Sequence, residues 1–144
     1  MTAKEYLQQI RIKGTVISQL QKEREELRQT LFSLGSPEFS ERVQSSGEMD
    51  KFGTVYAKID LKDREIAEKL IDLIEFRSNV VGEIHKLKNS KHMDILYKRY
   101  IEYKSLEEIA VETNYAYQNI RRSHGKALKE FESGNTKLHS PVVK

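Results

Sequence analysis

The chain has no cysteine and no tryptophan, and it has only two prolines among 144 residues. Without cysteine there is no disulfide framework, no thiolate nucleophile and no cysteine-type zinc site. Its absence is compatible with a reducing, cytoplasmic setting. Scarce proline, with 33% of residues charged, fits a water-exposed helical protein better than a sheet-rich one. No window approaches the roughly 18 uninterrupted apolar residues of a membrane span. The first residues, MTAKEYLQQIRIKG, carry charges throughout and lack the apolar stretch of a signal peptide. The expectation is a cytoplasmic, all-α chain with room for one sizeable core or two small ones.

The net charge of +3 is unevenly distributed. Residues 1–85 hold 13 basic and 15 acidic side chains, whereas residues 86–132 hold 10 and 7. The basic excess therefore lies towards the C-terminus, a weak pointer to nucleic acid.

Along the chain, Leu7, Ile10, Ile17, Leu20, Leu27, Leu31 and Leu34 recur mostly at intervals of three, four or seven. That spacing predicts one long helix from about Ala3 to Leu34. Gly35-Ser36-Pro37 stops it, and Ser45-Ser46-Gly47 is a further loop signal. The stretch 35–53 is long for a connection between helices, so it is read as a mobile or functional loop. A second long helix follows, from about Thr54 to Lys88. Ile59, Asp63, Ile66, Leu70, Leu73, Arg77, Val80, Ile84 and Leu87 form a heptad seam in it, and Ala67, Ile71, Ile74 and Val81 add a second stripe. So wide an apolar face needs more than one partner helix, or a partner helix plus a second subunit; a hairpin with the first helix and a homodimer are both expected, because two helices alone bury little. Residues 1–89 are accordingly read as a hairpin or coiled-coil scaffold forming a homodimer, with Ile66, Leu70, Leu73, Val80 and Ile84 as dimerisation residues. Asp63 and Arg77 interrupt the seam, either pinning register or lying at its solvent edge.

Residues 90–132 read differently. A helix from about His92 to Tyr103 shows Met93, Leu96, Tyr97, Tyr100 and Ile101 on one face. Ser105 and Glu108 form a capping-box signature, in which hydroxyl and carboxylate each meet an orphan helix-start amide. Leu106, Ile109 and Ala110 give the short helix that follows an apolar face. Asn114 tolerates the left-handed backbone that a sharp turn requires, and Tyr115 is placed as a plug in that turn. A second helix then runs from about Ala116 to Phe131, with Ile120, Ala127, Leu128 and Phe131 facing inward. Its opposite face shows Tyr117, Gln118, Arg121, Arg122, Gly125 and Lys126, and no acidic residue stands between Glu112 and Glu130. Such a face suits a phosphate-walled major groove, where Gln and Arg can read base edges bidentately. Residues 133–144 are read as a disordered tail.

The span Met93–Phe131 resembles region 4 of sigma-70-type transcription factors: a leading helix DILYKRYIEY, then SLEEIA, a turn, and a basic helix ending KALKEF. The resemblance implies a DNA-facing set of Tyr117, Gln118, Asn119, Arg121 and Arg122, to which the basic face adds Lys126. Three positions depart from the pattern. Asn114 stands for the usual Gly, Ala116 for a Ser or Thr cap, and Ser123 for an apolar residue. With paired long helices ahead of this module, the chain also resembles ArpU-like and RinA-like phage regulators of Gram-positive hosts. That resemblance implies a transcriptional regulator acting on double-stranded DNA in the bacterial cytoplasm, with host RNA polymerase as a further partner. No counterpart of the promoter-melting region of sigma factors is visible. Two other readings remain open: a small-terminase-like DNA-packaging protein, and a protein-interaction module docking on RNA polymerase without binding DNA.

Catalysis finds no support in the pattern. His85, His92, His124 and His139 share no metal-ligand spacing and are read as surface or helix-end residues. Acidic residues alternate with basic ones at helical spacing, as in Lys62-Asp63-Arg64-Glu65, the mark of solvated pairs rather than a catalytic dyad. No phosphate-binding glycine loop or nucleophile elbow is present. No cofactor is expected. Of the tyrosines, Tyr97, Tyr100, Tyr103 and Tyr115 are assigned to core or turn. Tyr117 is left open to base stacking.

Overall fold

The computed structural model describes residues 1–35, 46–135 and 138. Among them the chain is all-helical: α1 (Ala3–Leu34), α2 (Ser46–Ile84), α3 (Ser90–Leu96), one wide turn (Tyr97–Ile101), α4 (Leu106–Thr113) and α5 (Tyr117–Gly134). No helix among these residues is long and apolar enough to cross a membrane.

Helix α1 opens with a reciprocal cap. The Thr2 hydroxyl accepts from the Glu5 amide at 3.2 Å, and the Glu5 carboxylate accepts from the Thr2 amide at 3.0 Å. Helix α2 begins eight residues earlier than the periodicity indicates, at Ser46. Ser and Gly are favoured at helix starts as well as in loops, and Ser46-Gly47 opens this helix. The mobility expected of the 35–53 connection falls on residues 36–45, which lie outside the described residues.

Two compact units divide the chain, Lys13–Asp72 and a second made of Met1–Ile12 with Leu73–Lys144. In the first, α1 and α2 run antiparallel. Lys13 pairs with Asp72 at 2.8 Å, Arg24 with Asp63 at 3.1 Å, and Glu23 with Lys62. The first and last of these pairs are exposed and the Arg24–Asp63 pair is half-buried; pairs so open to solvent fix register more than they stabilise. Asp63, one of the two polar interruptions of the seam, is thus matched by Arg24 of the same chain. Among the described residues, Ile17, Leu20 and Ile66 are the buried apolar side chains of this unit.

The second unit holds the main core, formed by Ala3, Leu7 and Ile10 of α1, Val80 and Ile84 of α2, Leu87, Leu96, Tyr100, Ile101, and Ala127 and Phe131 of α5. This corrects the division into 1–89 and 90–132, because the last three helices share a core with residues 3–10 and 80–87. Residues 133–135 also depart from the expected tail. Helix α5 continues to Gly134, and the buried Asn135 side chain donates to Glu83 Oε2 at 2.5 Å. The remaining tail residues other than Leu138 lie outside the described residues.

The proposed seam is used unevenly. Ile66, Val80 and Ile84 are buried within the chain itself, and Leu73 is half-buried, so these four are taken up intramolecularly. Leu70 remains 37% exposed and Ile71 59%. A single period cannot tell whether the partner helix belongs to the same chain or to another, and here most of the seam is filled by α1.

Candidate nucleic-acid interface

The C-terminal group of helices begins at Asn89, whose side chain accepts from the amides of Lys91 and His92 and starts α3. The helix expected from His92 to Tyr103 is not continuous. After Leu96 the backbone widens, with Glu102 N–H donating to Tyr97 O five residues back at 3.1 Å. It ends at Tyr103, which takes the left-handed φ of 60°. That conformation is uncommon for so bulky a residue, and it turns Tyr103 to the outside.

Helix α4 has half of the predicted capping box. The Ser105 hydroxyl accepts from the Glu108 amide at 3.1 Å, but the Glu108 carboxylate accepts from that same hydroxyl at 3.2 Å, not from an amide. The turn that follows is as the sequence indicates at Asn114, with φ 60° and ψ 27°. Two hydrogen bonds close it, from Tyr115 N–H to Ala110 O at 3.2 Å and from Asn114 N–H to Val111 O at 3.4 Å. This is the pairing that ends a helix around a left-handed residue. Tyr115 does not plug the turn. It lies outside, 46% exposed, with Lys91 Nζ 4.0 Å from its ring centre.

Helices α4 and α5 meet over a small separate core of Ile95, Ile109, Ala110 and Ile120, with Leu106 against it. Ala110 is buried in this core, whereas Ile95 was not among the residues assigned to the face of the leading helix. Ala127 and Phe131, further along α5, belong to the main core instead. The recognition-type helix is thus held at both ends by different sets of side chains.

Every residue of the predicted DNA-facing set is exposed: Tyr117, Gln118, Asn119, Arg121, Arg122 and Lys126. Asn119 is already engaged, its Oδ1 accepting from Lys91 Nζ at 2.5 Å and from the Ser123 hydroxyl at 3.4 Å. The N-terminal cap of α5, Ala116, makes no side-chain hydrogen bond, and the first turn carries no acidic residue.

Two features escaped the sequence reading. His124 is not a surface residue: it packs inward against Tyr100, rings stacked at 5.7 Å and His124 Nε2 2.9 Å from the hydroxyl. Burial, then the nearby charges of Arg99 and Lys4, hold its pKa down to about 4. The imidazole is therefore neutral near pH 7. The second is a cationic notch beside α5, lined by Leu7, Gln8, Arg11, Arg99, Tyr100 and Tyr103. The other histidines differ again: His92 sits 2.8 Å from Glu130, His85 stacks on Tyr97, and His139 lies outside the described residues.

Among the described residues no group of three His, Asp or Glu side chains is arranged to hold a metal. On the outer side of α4, Val111 is 80% exposed, and Glu107 and Glu108 are exposed with it. Comparison with family models, with curated proteins and with solved structures finds no match to this chain.

Proposed function

We propose that this chain is a DNA-binding transcriptional regulator, of the kind its resemblance to ArpU-like and RinA-like phage proteins implies, and that α5 enters the major groove. One observation supports this above the rest. The exposed face of α5 carries Gln118, Arg121, Arg122 and Lys126 with no acidic residue, on a helix fixed to α4 by a left-handed turn and a dedicated core. A recognition helix needs that combination, since phosphate attraction supplies affinity and a rigid mount lets side chains read base edges. Tyr117 lies at the start of the same face, positioned for contact with a base or sugar. Exposed Leu70 and Ile71 on α2 support a homodimer, in which two heads meet half-sites about one helical turn apart, roughly 34–36 Å.

The test is duplex binding by fluorescence anisotropy over a salt series, comparing the chain with its Arg121→Ala/Arg122→Ala variant. The variant should bind more weakly, and its log–log salt slope should be shallower by about one to two. Absence of duplex binding by the parent chain at low salt would remove the reading. The exposed Val111 favours a second reading in that event, a protein-docking module whose partner, such as RNA polymerase, meets α4.

A further inference from the structure

Three short pieces of the C-terminal unit converge on one carboxamide. Lys91 stands in the first turn of α3, its backbone N–H donating to the Asn89 side chain at 3.0 Å. Tyr115 follows the left-handed Asn114, and its N–H donates to the Ala110 carbonyl at 3.2 Å. Asn119 lies in the first turn of α5. The Lys91 ammonium joins the other two. It sits 4.0 Å from the Tyr115 ring centre and donates to Asn119 Oδ1 at 2.5 Å. A ring face and a carbonyl oxygen both attract a cation, so the lysine is restrained from two sides.

The chemistry of the pair fixes which way the amide faces. An ammonium has three hydrogens and no lone pair, so it meets the oxygen of a carboxamide and not the nitrogen. The Ser123 hydroxyl, one turn further along α5, donates to the same oxygen at 3.4 Å. Both lone pairs of Oδ1 then have donors. Asn119 is exposed, and the part of it left for a ligand is its NH2 group.

Unconstrained, Asn reads adenine by accepting from N6 and donating to N7. That pairing needs the oxygen that Lys91 holds. A group that only donates is best matched by guanine, which alone presents two adjacent acceptors, N7 and O6, in the major groove. The amino group of adenine would instead face two donors and a cation, a repulsive element that adds to the discrimination. Resting on the DNA-binding reading above, we propose that Lys91 is a specificity-determining residue: by holding Asn119 as a donor only, it makes α5 take guanine rather than adenine at the base pair Asn119 faces. Lys91 lies outside the DNA-facing set expected from the sequence, and it acts through Asn119 rather than by reading a base itself.

The experiment uses the full chain to select sites from a duplex pool with a randomised centre. Preferences are then measured by anisotropy on duplexes that differ at one base pair. The variants are Asn119→Ala, Lys91→Met, Tyr115→Leu and Arg121→Ala/Arg122→Ala. The position at which Asn119→Ala loses preference is the one Asn119 faces. There the parent should favour guanine over adenine about tenfold, the size of one good base contact. Lys91→Met keeps the stem without the charge, and it should abolish or invert that ratio. Tyr115→Leu should move the ratio the same way by less, and it decides the matter if Lys91→Met does not fold. Loss of charge alone would weaken all sequences alike and leave the ratio unchanged, and that result overturns the proposal. So does a parent that prefers adenine at this position, or an Asn119→Ala variant that alters no position. In each of these cases the recognition helix stands if Arg121→Ala/Arg122→Ala weakens binding. A parent chain that binds no duplex at low salt overturns both readings.

Discussion

His124 offers a test of how α5 is mounted, because its charge state is tied to its packing. In the folded chain the ring is neutral, with a pKa held down to about 4 by burial first and then by Arg99 and Lys4. In the unfolded chain it returns to its ordinary value near 6.5. A depressed basic pKa means that the unfolded chain takes up the proton first. The stabilising increment is therefore complete above pH 6.5 and is lost progressively as pH falls from 6.5 towards 4. Full conversion of that difference would amount to at most about 3 kcal/mol. His124 is only partly buried, so solvent screening reduces the expected loss to about 1–2 kcal/mol. Protonation also removes the ring's ability to accept the Tyr100 hydroxyl proton at Nε2, the bond observed at 2.9 Å. The assay is urea unfolding followed by far-ultraviolet circular dichroism at pH 7.5 and pH 4.5, on the parent chain and on His124→Gln. Other groups titrate in this window, but they do so in both proteins and cancel in the difference. The parent should lose about 1–2 kcal/mol more than the variant between the two pH values. Equal losses would mean that His124 titrates normally in the folded chain, and the packing described for it would be refuted.

Two further predictions follow from the packing. Ile109 is fully buried in a cluster of only four buried side chains, so Ile109→Ala should cost about 2–4 kcal/mol. Hydrogen exchange should then rise more at α4 amides than near Phe131, which belongs to the other core. For the scaffold, light scattering should give twice the chain mass for the parent and a lower mass for Ile71→Glu, since Ile71 is exposed on α2. A monomeric parent would remove the dimer, and a ring of many subunits would favour the packaging reading.

Much of the fold could be read from spacing, because burial on one side of a long helix forces a period that survives in the sequence. Leu7, Ile10, Ile17 and Leu20 are buried as their intervals imply. Asn114 takes the left-handed turn for which its side chain is suited. The cap at Thr2 and Glu5 has the same residue types at the same separation as Ser105 and Glu108, and the same rule would have found it. The burial of His124 was available too. It follows Ile120 by four residues and precedes Ala127 by three, which places it on the inward face of α5. What spacing could not show is the wide turn after Leu96, because no composition marks a hydrogen bond to the fifth residue back. Nor could it bring Arg11 to Arg99 and Tyr103, a meeting that exists only once α1 has folded against the turn. The heptad seam gave the wrong owner for Ile66, Val80 and Ile84 for a similar reason. Period specifies that a face is covered, not by which chain.

The boundary of the C-terminal helical unit follows from where Phe131 goes. Its ring lies 6.0 Å from that of Tyr6, which meets Phe76 edge-on at 5.4 Å and donates its hydroxyl to Glu83 at 2.9 Å. Glu83 also accepts from Asn135, just past the end of α5. The second half of α5 is therefore fixed to the start of α1 and the end of α2, while its first half is fixed to α4 through Ile109 and Ile120. A cut at residue 90 would pass through this core and leave Ala127 and Phe131 facing water, burial worth about 1.5–3 kcal/mol for a large side chain such as Phe. Any rearrangement of residues 3–10 against 80–87 must in turn be felt at Phe131, and so at the helix that carries Arg121, Arg122 and Lys126. In this chain the ends of the long helices are part of the mount for α5, and the head is not an independent bead on a scaffold.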